Sequence, residues 1–300
     1  MQIGFVGIGQ MGLPLSTNLV KANFAVHAFD ANPAAVQALV TQGAQAAASL
    51  PELAAQTDVV ITTLPAPHIS EAVIAGPGGL LEGARAGSVF VEMSTVSPGV
   101  IHRLAAPCRE KGVTLIDCGM SGGPKGAADA TLTLMVGGDP AVIERIRPAL
   151  DAMGEHIYHC GGTGSGMAAK LVNNALAHVN ALAVCEAFSL GVKNGLDPKV
   201  LYDIVSTSSG ASWVLPNRFR QYIQEGSFNP GMTLDLLHKD SSLAMDMARE
   251  SDTPLFLLKL ANSLFTWYQL DGMGPENWAK MMTIWEKQLG IRIGTEPNAE

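Results

Sequence analysis

The sequence predicts a doubly wound α/β domain over residues 1–162, a linking helix over 163–193 and an all-helical domain over 194–300. Three observations carry that expectation. Short apolar runs alternate with helix-length segments through about residue 160, and helix-capping side chains stand directly before prolines between those runs. Beyond Gly161-Gly162-Thr163-Gly164, strand-like runs give way to helical spacing. A chain of 300 residues suits two domains better than one.

Taken in order, Ile3-Gly4-Phe5-Val6 reads as a first strand and Ala25-Val26-His27-Ala28-Phe29 as a second. Val59-Val60-Ile61-Thr62, Val89-Phe90-Val91 and Thr114-Leu115-Ile116 continue the series, and Leu132 to Val136 with Ile157-Tyr158 could extend it. Such near-continuous apolar runs suit a parallel sheet covered on both faces. Asn32-Pro33, Ser97-Pro98 and Asp139-Pro140 each set a capping side chain before a proline fitted to the first helical turn, and Asp197-Pro198 repeats the signal further on. From about Met167 to Lys193 apolar residues recur at helical spacing, including Leu171, Val172, Leu176, Val179 and Leu182. A helix of that length runs roughly 40 Å, enough to bridge two domains.

Composition removes several function classes. Hydrophobic residues make up 47% of the chain and charged residues 15%, which supports a large core and argues against disorder. The net charge of −8 provides no footprint for nucleic acid or an anionic membrane. Gly, Pro or charge interrupts each apolar run, so no bilayer span is expected. Met1-Gln2 leads into a strand-like run without the basic stretch of a signal peptide. Cys108, Cys118, Cys160 and Cys185 lack paired or zinc-type spacing, which fits reduced thiols in a cytoplasm, and no metal site is expected.

Gly7-Ile8-Gly9-Gln10-Met11-Gly12 is a GxGxxG pattern between a predicted strand and a predicted helix. That context makes it a dinucleotide fingerprint. Gly7 permits the tight turn, Gly9 lets backbone approach a pyrophosphate, and Gly12 lets helix and strand pack closely. Asp30 closes the second strand, where a carboxylate accepts hydrogen bonds from ribose hydroxyls. No Lys or Arg occurs between Lys21 and Arg85 to neutralise a 2′-phosphate, so NAD is expected rather than NADP.

Further motifs follow in a fixed order: Leu64-Pro65, Ser94-Thr95-Val96-Ser97-Pro98, Asp117-Cys118-Gly119-Met120-Ser121-Gly122-Gly123, Gly164 to Asn174, and His238-Lys239-Asp240. Together with the opening fingerprint they resemble the β-hydroxyacid dehydrogenase family over nearly the whole chain. The resemblance implies a Rossmann-like NAD domain and a helical domain joined by a long helix, with dimers or tetramers formed through the helical domain. It implies that Gln10 and Met11 belong to the cofactor loop, that Leu64, Pro65 and Thr95 lie on the nicotinamide side, and that Lys239 approaches the nicotinamide ribose or the substrate. Two departures from the family pattern fall in the loop before Ser121: Gly119 stands where proline is usual and Met120 where a β-branched residue is usual. A third is Ala211 in Ser208-Ser209-Gly210-Ala211-Ser212-Trp213, where arginine is frequent.

Each motif has a physical task. Lys170 and Asn174 stand four residues apart, hence on one helix face. A lysine partly desolvated in a cleft accepts the proton that leaves an alcohol oxygen as hydride leaves carbon, and returns it on reduction. Asn174 holds the hydroxyl or orients the lysine. Ser121, Gly122 and Gly123 offer a hydroxyl and bare backbone N–H groups to a substrate carboxylate. The expected reaction interconverts a small β-hydroxy acid and its semialdehyde or oxo acid. An imine reductase-like enzyme and a non-catalytic dinucleotide-binding module are the alternatives on the same fold, and retention of Lys170 weighs against both. The cysteines, His178, Trp267, Trp278 and Trp285 read as packing residues.

Overall fold

The computed structural model describes residues 1–228 and 231–296. In chain order the strands are β1 (Gln2–Val6), β2 (Ala25–Phe29), β3 (Gln45–Ala46), β4 (Val59–Thr62), β5 (Val89–Glu92), β6 (Thr114–Ser121), β7 (Leu132–Gly137) and β8 (Gly154–Gly161). Among them lie α1 (Gly12–Lys21), α2 (Pro33–Val40), α3 (Leu50–Gln56), α4 (Pro67–Ala75), α5 (Leu80–Gly83), α6 (Pro98–Glu110), α7 (Gly123–Ala128) and α8 (Pro140–Asp151). The helices α9 (Ser165–Lys193), α10 (Pro198–Thr207), α11 (Arg220–Glu225), α12 (Leu234–Glu250), α13 (Phe256–Leu270) and α14 (Met281–Leu289) follow. The chain divides into two compact units, Met1–Leu171 and Val172–Glu300.

In the first unit one eight-stranded sheet has the order β3-β2-β1-β4-β5-β6-β7-β8. The chain steps outward from β1 to β3 and then restarts on the other side of β1 with β4. That reversal opens a crevice at the carboxyl ends of β1 and β4, where open α/β sheets bind ligands. Alternate residues feed two cores. Ile3, Phe5, Val59, Ile61, Val89 and Val91 enter one, while Val6, Val60, Phe90 and Leu115 enter the other. The predicted caps form: Asn32 accepts from the Ala34 N–H, Ser97 from Val100, Asp139 from Ala141, and Asp197 from Lys199 and Val200.

Three features depart from the sequence expectation. Strand β7 runs antiparallel to β6, so the sheet is parallel through β6 and mixed beyond it. Strand β3 has only two residues, both exposed, too few to leave an apolar pattern. Helix α9, 29 residues with a window of mean hydropathy 1.5, is long and apolar enough to cross a membrane by length and composition. The expectation of no such segment therefore does not hold. Yet its Ala181, Cys185 and Phe188 are buried in the core of the second unit. Its His178 pairs with Ser241 of α12 at 2.8 Å, so one side of the helix is packed within the protein.

Among the described residues the second unit is built from helices, with one isolated β-bridge between Thr233 and Asn277. Its core gathers Phe188, Tyr202, Phe219, Tyr222, Phe265, Tyr268 and Trp278. Glu286 is buried there and holds the following segment by accepting from the Ile293 and Gly294 N–H groups and the Tyr222 hydroxyl. Cys108, Cys118 and Cys185 are buried, Cys160 half-buried, and none is bonded to another. Trp267 departs from its expected packing role, being 49% exposed.

Candidate active site

The three fingerprint glycines meet three different constraints. Gly7 has φ of +88°, and a Cβ there would lie 2.3 Å from the Thr63 carbonyl oxygen. A Cβ on Gly12 would lie 1.8 Å from the Gly7 carbonyl oxygen, whereas one on Gly9 would meet nothing within 4 Å. Gly7 and Gly12 are thus needed for chain packing, and Gly9 leaves open backbone where a pyrophosphate can approach. Gln10 is exposed and Met11 half-buried at the start of α1. No side chain caps that helix, which leaves its first N–H groups for an anion.

Asp30 does more than the sequence suggests. Its carboxylate accepts from the Ile8 N–H at 2.6 Å and the Asn32 N–H at 2.7 Å. It therefore holds the glycine loop in place, and a carboxylate's remaining lone pairs are available to a ribose. Asn18 of α1, buried, donates to the Ala127 carbonyl of α7 at 2.7 Å and ties the helix after the glycine fingerprint to the helix after Ser121. No motif pointed to Asn18, because its partner is distant in sequence.

Strands β1, β2, β4, β5 and β6 are mutually parallel, so the residues following them share one edge of the sheet. Gly7, Asp30, Leu64-Pro65, Thr95 and Ser121 all fall on that edge. Ser94 joins two of these loops by accepting from the Leu64 N–H at 2.7 Å. Glu92, fully buried at the end of β5, accepts from the Ser94 N–H at 2.7 Å. Burial pushes its carboxyl up to about 7. Because this lies above the ordinary value of 4.5, what Glu92 contributes to stability is full below that pH and is lost as pH rises through about 7.

Leu115, Asp117, Gly119 and Ser121 alternate along β6 and so present one face. The start of α9 lies over it. Asp117, fully buried, accepts from the Gly164 N–H at 2.6 Å and the Met167 N–H at 2.7 Å, satisfying amides at the beginning of that helix. Burial raises the Asp117 carboxyl, and these amides oppose the shift. A Cβ on Gly119 would lie 2.5 Å from the Lys170 Cβ and 3.0 Å from the Gly166 carbonyl oxygen. Gly119, unusual for the family, is therefore the point where the lysine-bearing turn rests on the strand. Ser121 follows two residues on, about 7 Å along the same face. Met120 points to the opposite face and packs into the other core, away from this contact. Gly122 and Gly123 turn the chain into α7 with φ of +133° and +68°. Gly119→Ala is expected to displace the Lys170 turn and reduce kcat about tenfold or more, since small misplacements at a reacting centre are costly. Steady-state kinetics beside a thermal melt would show it, and an unchanged kcat would refute the contact's role.

In the second unit Asn174 Nδ2 donates to Asp240 Oδ2 at 2.9 Å, and Lys239 Nζ forms an ion pair with Asp240 Oδ1 at 3.1 Å. Asp240 is buried, so it fixes Asn174 and draws Lys239 to the same place on α12. The Lys239-Asp240 motif was legible, but the bond to Asn174 was not, since 66 residues separate the partners. Ala211 removes one cation from its run. Arg218, on a π-helical turn over Leu215–Phe219, lies 5.1 Å from the exposed Trp213 ring and returns one nearby.

Two family patterns match the chain. The NAD-binding domain of 6-phosphogluconate dehydrogenase matches residues 2–162, and the NAD-binding domain of NADP-dependent 3-hydroxyisobutyrate dehydrogenase matches residues 164–285. The 2-(hydroxymethyl)glutarate dehydrogenase of Eubacterium barkeri is 41% identical over 98% of this chain and 97% of its own. The chain belongs to the β-hydroxyacid dehydrogenase family. As a member it is an NAD-dependent oxidoreductase acting on CH–OH donors. The NAD-dependent L-serine dehydrogenase of Pseudomonas aeruginosa is 37% identical over 96% of this chain and 99% of its own. Among solved structures, 3-hydroxyisobutyrate dehydrogenase of Mycobacterium tuberculosis with L-serine superposes with a TM-score of 0.86 at 32% identity, covering 95% of this chain and 99% of that one.

Proposed function

We propose that this dehydrogenase interconverts a small carboxylate-bearing β-hydroxy acid and its semialdehyde or oxo acid, with Lys170 moving the proton. NAD accepts the hydride. In this reading Gly7, Gly9, Gln10, Met11, Gly12, Asp30, Leu64, Pro65 and Thr95 hold the cofactor. Ser121, Gly122 and Gly123 take the carboxylate, Asn174 orients the reacting hydroxyl, and Lys239 serves ribose or substrate. The single observation supporting it most is the face of β6, where Gly119 carries the Lys170 turn and Ser121 opens the glycine pair. The helix turn bearing the proton-transfer group and the anion cradle thus adjoin the same strand.

The experiment is NADH formation at 340 nm across a panel of β-hydroxy acids that includes 2-(hydroxymethyl)glutarate, L-serine and 3-hydroxyisobutyrate. Turnover of at least one of them is expected. No turnover of any, with NAD bound, would turn this reading toward an imine substrate or a binding module. We also place the enzyme in the cytoplasm, as its buried free thiols suit a reducing compartment, and in a homo-dimer or homo-tetramer. Supporting self-association is an apolar stripe on α13, where Phe256 and Leu270 are each 82% exposed.

A further inference from the structure

A charged side chain withdrawn from water normally finds a counter-charge or a hydrogen-bond acceptor. Arg218, half-buried on the π-helical turn Leu215–Phe219, has neither among the described residues. Lys21, Arg109, Lys111, Lys199, Lys259 and Lys287 lack such a partner too, but they are exposed, and water serves them. What Arg218 does have is the ring of Trp213, whose centroid lies 5.1 Å from its Cζ. At 3.6 residues per turn, side chains five apart on an α-helix point roughly 140° away from each other. The π turn, with hydrogen bonds that span five residues, brings Arg218 back over Trp213 instead. Asn217 reinforces the turn by donating to the Trp213 carbonyl at 2.8 Å. Turns of this kind gather at functional sites.

An aromatic face attracts the cation but takes no conventional hydrogen bond, so the guanidinium's N–H donors remain for a ligand. The Trp213 ring is exposed, which leaves the pair open to solvent. The Ser212 hydroxyl, on the residue before it, is buried and has no hydrogen-bond partner. A guanidinium fork beside a free hydroxyl suits a planar oxyanion, because a carboxylate accepts two parallel N–H bonds from such a fork. We propose that Arg218 is a specificity-determining residue: stacked on Trp213, it binds the second carboxylate of a dicarboxylic β-hydroxy acid. The inference rests on the reaction proposed above, in which Asn174 and Lys239 of the same unit meet the substrate. Ala211, standing where arginine is frequent, then reflects a cation relocated to Arg218 on the same segment. A substrate without the second carboxylate leaves the guanidinium unmatched and forfeits its hydrogen bonds, which is the source of the selectivity.

The test compares kcat/KM for 2-(hydroxymethyl)glutarate and 2-(hydroxymethyl)pentanoate, which share the reacting centre and differ by a methyl in place of the second carboxylate. Wild type is expected to favour the glutarate about tenfold or more, the worth of a charge-assisted hydrogen-bonded pair. Arg218→Ala should raise KM for the glutarate by about that factor with little change in kcat, bringing the ratio of the two acids close to one. Arg218→Lys keeps the charge without the fork and should hold an intermediate ratio. Equal losses on both acids in Arg218→Ala, or a ratio that does not change, would overturn the assignment. An unchanged ratio with inhibition by free acetate in wild type alone would also overturn it, since the anion would then be an effector and not part of the substrate. No turnover of either acid by wild type, with NAD bound, would sink the proposed reaction, and calorimetry on the NADH complex then decides Arg218 separately. Wild type should bind 2-(hydroxymethyl)glutarate about tenfold more tightly than Arg218→Ala does, and equal affinities would overturn the subsite. Thermal melts show that each variant is folded before it is compared.

Discussion

Lys170→Ala is expected to lower kcat with every accepted hydroxy acid by roughly 10²–10⁴-fold, the usual worth of a positioned acid–base group. NAD affinity should remain as in wild type. When hydride leaves the substrate carbon, the hydroxyl proton must leave oxygen, and an alcohol does not release it unaided at neutral pH. Truncation at this position isolates the contribution of the side-chain amine cleanly. The contact that seats the turn on Gly119 is made by the Lys170 Cβ, which alanine retains. Lys170→Arg should not restore the rate, because a guanidinium stays protonated and cannot act as base. Steady-state rates beside NADH titrations of the same variants provide the check. A Lys170→Ala enzyme turning over at the wild-type rate would end the proton-transfer assignment.

Asp117→Ala is the second large effect, and it acts through position. The side chain is buried and meets the Gly164 and Met167 amides with its two oxygens. Removing it leaves both donors without an acceptor at the start of the helix that carries Lys170. The expected loss is about 2–4 kcal/mol, a fall in Tm of roughly 5–15 °C for a unit of this size. Catalysis should drop about tenfold or more as the lysine turn loosens, with NAD affinity less affected. Asp117→Asn keeps the volume and one acceptor, so it should fall between wild type and alanine and remain measurable if the alanine variant does not fold. Wild-type melting and turnover in both variants would show that the helix start needs no such anchor.

Much of this design was readable along the chain because its causes are local. Gly12 works through a backbone contact with Gly7 five residues before it, although Gly7 itself also answers to Thr63 of the next loop, and each capping residue bonds to amides two or three positions away. The β1, β2 and β4 runs are buried on both faces, so their composition announces them. Signals weakened where that logic ceased. Strand β3 is two exposed residues, and nothing local tells β7 to run antiparallel to β6. The apolar length of α9 was hidden by polar residues within it, of which Asn174 and His178 are held by Asp240 and Ser241 of α12. Gly119 was legible as a departure from the family pattern but not as a seat for Lys170.

What the sequence determined by itself was the inventory: a dinucleotide fold, an acid suited to ribose, a lysine and a serine–glycine loop in fixed order. Only the tertiary structure decided which of these meet. Strand alternation and parallel pairing bring Asp117, Gly119 and Ser121 onto one face and lay the Lys170 turn across it. Burial then sets the state of Glu92, and Asp240 fixes Asn174 from 66 residues away. These couplings depend on desolvation and on distances between strands and helices, and such quantities do not exist until the chain has folded.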